Sequence, residues 1–219
     1  MSTQRYPYSV SLQYGNEHFC GGALVAPDVV VTAGHCNGSI SLDISYDVVI
    51  GRLDLTQRTT GQSIRLSREI RHPDYDEDTV DNDFNLVFLR SGVTWEGIEY
   101  IRLNDDATVP SGPDAGDEKG DPLTVVGWGD VDSRDDVAEA SDVLMETVVH
   151  AMDNGACERT EGMVDSQWGE ILTNLMGGIT ENMLCARADD TDACQVRTER
   201  VFLSVVCSCG SVPRGKPTF

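Results

Sequence analysis

Val29-Val30-Val31-Thr32-Ala33-Gly34-His35-Cys36 is the stretch on which the reading of this chain turns. Its β-branched opening, Val29 to Thr32, predicts a short strand that leads into Gly34-His35-Cys36. Working outward, the runs Ser9 to Gln13, Gly21 to Val25, Val48 to Ile50, Ile64 to Glu69 and Phe84 to Leu89 are likewise apolar or alternating, and Gly, Asp, Asn and Pro separate them. Six short strands suit a small closed barrel. The 21 glycines and eight prolines also favour an all-β barrel or sandwich over a helical bundle.

At 219 residues the chain can bury a core as one domain or two small ones. Residues 104–121 are rich in Asp, Pro and Gly and read as a linker. Residues 1–103 then form an N-terminal β-barrel domain and residues 122–195 a second region. Strands resume at Leu123 to Gly127 and at Asp142 to Val149, with an acidic loop, Asp130 to Asp142, between them. That loop lacks the glycine and glutamate spacing of an EF-hand. Asn154 is a candidate cap for a short helix from Gly155. Trp168, Ile171, Leu172 and Leu175 fall at helical spacing, so Asp165 to Met176 is expected to be an amphipathic turn or two.

The formal net charge of −21 argues against nucleic acid as a partner, because phosphate binding needs a basic face. It is not evenly spread. Residues 1–195 carry 12 Lys and Arg against 36 Asp and Glu, whereas residues 196–219 carry four basic residues and one acidic. The hydrophobic fraction of 40% is ordinary for a folded chain, no apolar run approaches the length of a membrane span, and Met1 does not open a secretory signal. Seven cysteines in so short a chain point to an oxidising compartment. None of them forms a Cys-x-x-Cys pair, which argues against a zinc ribbon.

Several motifs now stand together in order: Tyr6-Pro7-Tyr8-Ser9-Val10-Ser11-Leu12-Gln13, His18-Phe19-Cys20-Gly21-Gly22, Thr32-Ala33-Gly34-His35-Cys36, Arg71-His72-Pro73, Asp81-Asn82-Asp83, Gly127-Trp128-Gly129, Asn182-Met183-Leu184-Cys185-Ala186 and Asp192-Ala193-Cys194-Gln195. In this order and at this spacing, residues 6–195 resemble the chymotrypsin/trypsin family of serine endopeptidases. The resemblance implies the two-barrel trypsin-like fold, with an intact first barrel and an incomplete second one. A serine hydroxyl is a weak nucleophile that needs an imidazole to take its proton and a buried carboxylate to orient that imidazole. By resemblance His35 is the base and Asp83, 48 residues on, the orienter. Asp192 matches the base of the primary specificity pocket, where a carboxylate selects Lys or Arg. The resemblance further implies disulfides Cys20–Cys36 and Cys157–Cys185. Cys194 is left to seek Cys207 or Cys209. His18, His72 and His150 keep the ordinary reading of surface or turn residues.

The match stops after Gln195. In family register Val196 replaces an oxyanion-hole glycine, Arg197 an aspartate, and Thr198 the nucleophilic serine, with Glu199 and Arg200 in place of two glycines. Thr198 keeps a hydroxyl but is β-branched and lacks the glycines that let the loop turn. Residues 196–219 therefore read as a non-family tail, and the apolar run Val201 to Cys207 as filler for one strand position. Val196-Arg197 is encodable as GTN-AGR, a splice-donor pattern, so translated intron accounts for both the register loss and the charge reversal. Only Met1 to Arg5 precede the first motif, and the chain reads as incomplete at both ends.

The expected function is a trypsin-like endopeptidase by descent, cleaving protein or peptide substrates after Lys or Arg, with this chain inactive for want of a nucleophile. The alternative is a non-catalytic protease homologue that binds or inhibits a protein partner. Neither reading calls for a cofactor or metal, and the calcium-loop carboxylates of the family are not evident around Asp54 to Gln62. Neither involves a membrane, and the resemblance implies a secreted protein.

Overall fold

The computed structural model describes residues 5–37, 45–104, 111–113, 120–129, 141–159, 161–166, 169–174, 178–187 and 205–207, the backbone alone for 161–166, 169–174 and 205–207. The architecture is nearly all-β and divides into two units, one drawn from residues 1–108 and 126–146, the other from residues 109–125, 147–194 and 205–207.

The first unit is a barrel. Its strands are β1 Ser9–Tyr14, β2 Glu17–Ala26, β3 Val29–Thr32, β4 Asp47–Ile50, β5 Gln62–Arg71 and β6 Asn85–Leu89. They close in the order β1-β2-β3-β6-β5-β4, every neighbour antiparallel. Closure leaves no sheet edge to solvent. Alternation decides what faces inward. On β6, Asn85, Val87 and Leu89 are buried while Leu86 is exposed. Val10, Leu12, Leu24, Val30, Val48, Ile50 and Val87 retain no exposed surface. Each contributes about 1.5–3 kcal/mol by leaving water. Asn85 is a polar residue on this buried face of β6, and its amide donates to Glu69 Oε2 at 2.7 Å.

The described residues 126–129 and 141–146 of the same unit pack against the barrel's loops. Trp128 is buried, and its indole N–H points at the Leu53 carbonyl, 3.3 Å away. The Leu144 amide donates to Leu53 at 2.7 Å, and the Leu55 amide donates to Asp142 at 2.8 Å. Those bonds explain a difference from expectation. Residues 142–144 were expected to begin the next strand, but their backbone groups pair with the Leu53–Leu55 loop, and regular pairing starts only at Met145.

The second unit holds most of β7 Pro122–Gly127 and of β8 Met145–Met152, the one-turn helix α1 Asn154–Glu158, the hairpin β9 Glu161–Ser166 and β10 Gly169–Asn174, then β11 Leu184–Arg187 and β12 Val205–Cys207. The order β12-β11-β8-β7 makes a partial sheet, with β12 parallel to β11. Within the stretch expected to link the two halves, Ser111 and Asp121 share two bonds: the Ser111 amide donates to the Asp121 carboxylate at 2.9 Å, and the Asp121 amide to the Ser111 carbonyl at 2.9 Å.

Two sequence expectations are corrected here. The helical spacing over Asp165 to Met176 gives way to the β9–β10 hairpin, with Ser166 opposite Gly169 and Ile171 opposite Val164. Ile, Val and Thr fit a pleated ribbon at least as well as a helix, and four apolar positions are too few to separate the two periods. Trp168, Leu175 and Met176 lie outside the described residues. The cap of α1 is Asp153, whose carboxylate accepts the Ala156 amide at 2.8 Å, and not Asn154. Asn154 instead ties the helix to β11: its amide donates to the Met183 carbonyl at 2.7 Å and its oxygen accepts the Cys185 amide at 3.3 Å. No helix among the described residues is long and apolar enough to cross a membrane.

Candidate active site

β3 and β6 are antiparallel neighbours, with Thr32 opposite Asn85. The end of one strand therefore lies beside the start of the other, so the three residues after Thr32 meet the two before Asn85. That topology brings His35 to Asp83. Leaving β3, whose Thr32 hydroxyl donates to Gly21 at 2.6 Å, the chain makes a single 3-10 turn, Gly34–Cys36. Gly34 permits the approach. A Cβ there would stand 3.0 Å from the Tyr75 ring, 3.2 Å from Asp83 Oδ1 and 3.2 Å from the Phe84 amide nitrogen.

Both oxygens of Asp83 are engaged by His35. The backbone amide of His35 donates to Oδ1 and its ring Nδ1 pairs with Oδ2, each at 2.8 Å. A carboxylate only accepts, so the proton between ring and acid sits on Nδ1, and Nε2 carries the lone pair that can accept a proton. The imidazole is 16% exposed and the carboxylate 7%. Little water competes for the pair, so the bonds hold the ring in one orientation.

The segment that delivers Asp83 is itself fastened. Asp76 Oδ1 accepts the Asp78 and Thr79 amides, each at 2.9 Å. These bonds, Thr79's above all, hold the Asp76 carboxyl below the usual carboxylate range. Asn82 takes φ of 53°, a left-handed conformation that asparagine tolerates, and its amide donates to the Asp74 carbonyl at 3.2 Å. On the other side, the Cys20–Cys36 disulfide joins β2 to the residue after His35, with Cα atoms 6.3 Å apart. Cys157–Cys185 joins α1 to β11 in the second unit, also at 6.3 Å. Cys20, His35 and Cys36 come close enough together to share an ion. Both sulfurs are tied up in the disulfide, so the donor set is unsuitable for one.

Two other side chains have roles that sequence reading missed. Around Asp54 to Gln62, the Arg58 and Thr60 carbonyls receive the Arg52 guanidinium, at 3.2 and 3.0 Å. Arg52 is 7% exposed, so a fixed cation from the chain itself organises this loop. His18, expected at the surface, is largely shielded. Its Nδ1 meets the Ser11 hydroxyl at 2.8 Å and its ring lies 5.4 Å from that of Trp128. The physical reason is register, which puts His18 opposite Gln13 on the face of the β1–β2 ribbon that Trp128 covers. His72 accepts the Asp74 amide in a turn, and His150 lies on β8 opposite Arg187. Asp192, Thr198, Cys194 and Cys209 lie outside the described residues.

A closed six-stranded barrel that sets a doubly bonded His–Asp pair where two of its strands meet has the architecture of the two-barrel serine proteases. The family model described as Trypsin matches residues 1–196, and the chain belongs to the trypsin family. It is 32% identical to Trypsin 5G1 of Aedes aegypti over 198 residues, 88% of this chain and 64% of that protein. It is 30% identical to Trypsin Blo t 3 of Blomia tropicalis over 86% of this chain and 64% of the relative, and 31% identical to the Vitellin-degrading protease of Bombyx mori over 86% and 63%. The chain thus spans a little under two thirds of the length of these relatives.

Proposed function

We propose that the fold is that of a trypsin-like serine endopeptidase and that this chain carries its acid–base half without its nucleophile. The observation that carries the reading is the His35–Asp83 pair, bonded through both carboxylate oxygens. In such a pair His35 Nε2 takes the proton of an attacking hydroxyl, and Asp83 holds the ring and stabilises the imidazolium that results. Asp192 is the residue assigned to select Lys or Arg. Thr198 stands in the serine's register without the flanking glycines, and loss of one oxyanion donor alone lowers turnover by about 100-fold or more. Two disulfides suit a secreted protein.

The test is hydrolysis of a small arginyl amide by the purified chain, with His35→Ala alongside. Turnover no greater than that of His35→Ala supports the proposal; turnover that His35→Ala abolishes overturns its second half. A second reading, a non-catalytic homologue that binds a protein partner, is favoured by the same departure after Gln195. A stable secreted product with a tight protein partner and no turnover selects it. The origin of residues 196–219 is tested separately by the transcript across codon 195: a spliced message resuming at a Gly-Asp-Ser-Gly-Gly segment is expected, and a message that continues only as written refutes the intron origin.

A further inference from the structure

The triplet Asn37-Gly38-Ser39 follows the turn that carries His35, and the catalytic reading leaves it unused. Of the eight asparagines in the chain, Asn37 alone is followed two residues on by a serine or threonine, with a residue other than proline between. So short a pattern arises readily by chance, and the placement of the acceptor is what gives it weight. Gly38 and Ser39 enter by sequence alone.

Asn37 closes the 3-10 turn Gly34–Cys36. Its backbone amide donates to the Gly34 carbonyl at 3.1 Å, and its own backbone is extended, with φ of −77° and ψ of 120°. The main chain is thus fixed on a turn that the Cys20–Cys36 disulfide ties to β2. The side chain is not. Three other asparagines use their amides to hold the fold: Asn82 donates to the Asp74 carbonyl at 3.2 Å, Asn85 to Glu69 at 2.7 Å and Asn154 to the Met183 carbonyl at 2.7 Å. Asn37 is half-buried as a residue, but its side-chain amide has no such partner among the described residues. Nor does it belong to the buried polar atoms left unpaired, a set that includes Asn85 Oδ1. A side-chain amide that is neither bonded nor buried faces water. Nδ2 is therefore open to a reagent from solution, and a group attached to it projects outward without displacing a neighbour.

We propose that Asn37 is the attachment site of an N-linked oligosaccharide that stands at the edge of the His35–Asp83 pair. Modification there depends on the secreted reading given above, because the donor, a polyprenyl-diphosphate-linked oligosaccharide, and its transferase act in the lumen of the secretory pathway, where disulfides also form. In the transfer, Nδ2 bonds to C1 of the first sugar while the C1–O bond to the diphosphate breaks. The leaving polyprenyl diphosphate takes that electron pair, and one Nδ2 proton goes to a base of the transferase. The Asn37 Cα lies within about 7.6 Å of the His35 Cα, the reach of two trans peptide links. A bulky, hydrated sugar so close narrows the approach of a protein to the base from that side.

The full chain, sent into the secretory pathway of insect cells behind a cleavable leader, is digested, and the peptide containing Asn37 is read as an intact glycopeptide by mass spectrometry. The intact sugar is the readout because an Asn-Gly pair also deamidates spontaneously, and aspartate found after enzymatic removal of a sugar would not separate the two. Cell-retained and secreted chains are both read, so folding yield does not decide the result. An oligosaccharide on Asn37 is expected, with complete loss in Asn37→Gln and in Ser39→Ala and retention in Ser39→Thr, which keeps the hydroxyl. A bare Asn37 in a chain whose Cys20–Cys36 disulfide has formed overturns the glycan and leaves the secreted reading standing. A bare Asn37 in a chain whose cysteines stay reduced overturns both. Sugar that survives Asn37→Gln or Ser39→Ala overturns the assignment to this site.

Discussion

Replacing Gly34 with alanine tests how tightly the His35–Asp83 pair is built. Gly34 lies in a 3-10 turn with no positive φ, so an alanine there meets no backbone strain. Restricting the unfolded chain should by itself stabilise by about 0.4–1 kcal/mol. The obstacle is space. The new methyl would sit 3.0 Å from Tyr75 Cδ2, 3.2 Å from Asp83 Oδ1 and 3.2 Å from the Phe84 nitrogen, against a comfortable separation of about 3.5–4.0 Å between carbons. Phe84 nitrogen is backbone and cannot swing away. Asp83 Oδ1 can retreat only by stretching its 2.8 Å bond from the His35 amide. The Tyr75 ring, with the Arg71 guanidinium 4.9 Å from its centre, is the softest neighbour. Overpacking of this kind costs about 1–3 kcal/mol, so the net expectation is a loss of about 1–2 kcal/mol, or about 2–8 °C in Tm for a chain of this size. Gly92→Ala is the control, because its methyl would meet only ordinary contacts at 3.6 and 3.7 Å. The assay is urea unfolding of both variants, with the His35 ring followed by 15N NMR. If Gly34→Ala proves as stable as Gly92→Ala and leaves the His35 signals unmoved, the argument from close approach is wrong.

Removing the Cys20–Cys36 pair by double substitution to alanine is expected to cost about 3 kcal/mol, given a separation of 16 residues. Denaturant midpoints under non-reducing conditions check this. Arg52→Met keeps the buried stem but leaves the Arg58 and Thr60 carbonyls without their donors. A loss of about 2–4 kcal/mol is expected, together with faster hydrogen exchange over residues 57–61, while Tm unchanged within a degree would contradict the role given to Arg52. Burial lowers the His18 pKa, so stability carries a pH dependence: protonation on unfolding removes up to about 3 kcal/mol as pH falls from 6.5 to about 4, and His18→Gln should flatten that slope in a pH series of urea melts.

The barrel strands were legible because each is short, β-branched and bounded by turn residues, so the period of two survives in the sequence. β2 illustrates the limit. Its run from Gly21 is plain, but Glu17-His18-Phe19 reads as polar turn until β1 is known to lie beside it. The shielding of His18 is likewise invisible, since it depends on Trp128, 110 residues away in sequence. At residues 161–174 the misreading is local: a few apolar residues fit either period, and pairing between β9 and β10 decides it. Asp153 and Asn154 are both good caps by type, and the position of the helix start separates them. Of the candidate site, His35 and Asp83 were found by motif. Gly34 and Asn82 stand within the motifs but their part in holding the loops does not show there, and Asp76 and Arg52, which act through backbone contacts, stand in no motif.

The central claim is that His35 is held by Asp83 as a base ready to accept a proton, whatever becomes of the nucleophile. The direct measurement is the 15N and 1H spectrum of the His35 ring in its neutral form. The account requires a protonated Nδ1 and an unprotonated Nε2, with Asp83→Asn shifting the proton toward Nε2. A neutral ring already protonated at Nε2, or one that exchanges freely between tautomers and is indifferent to Asp83→Asn, would contradict it.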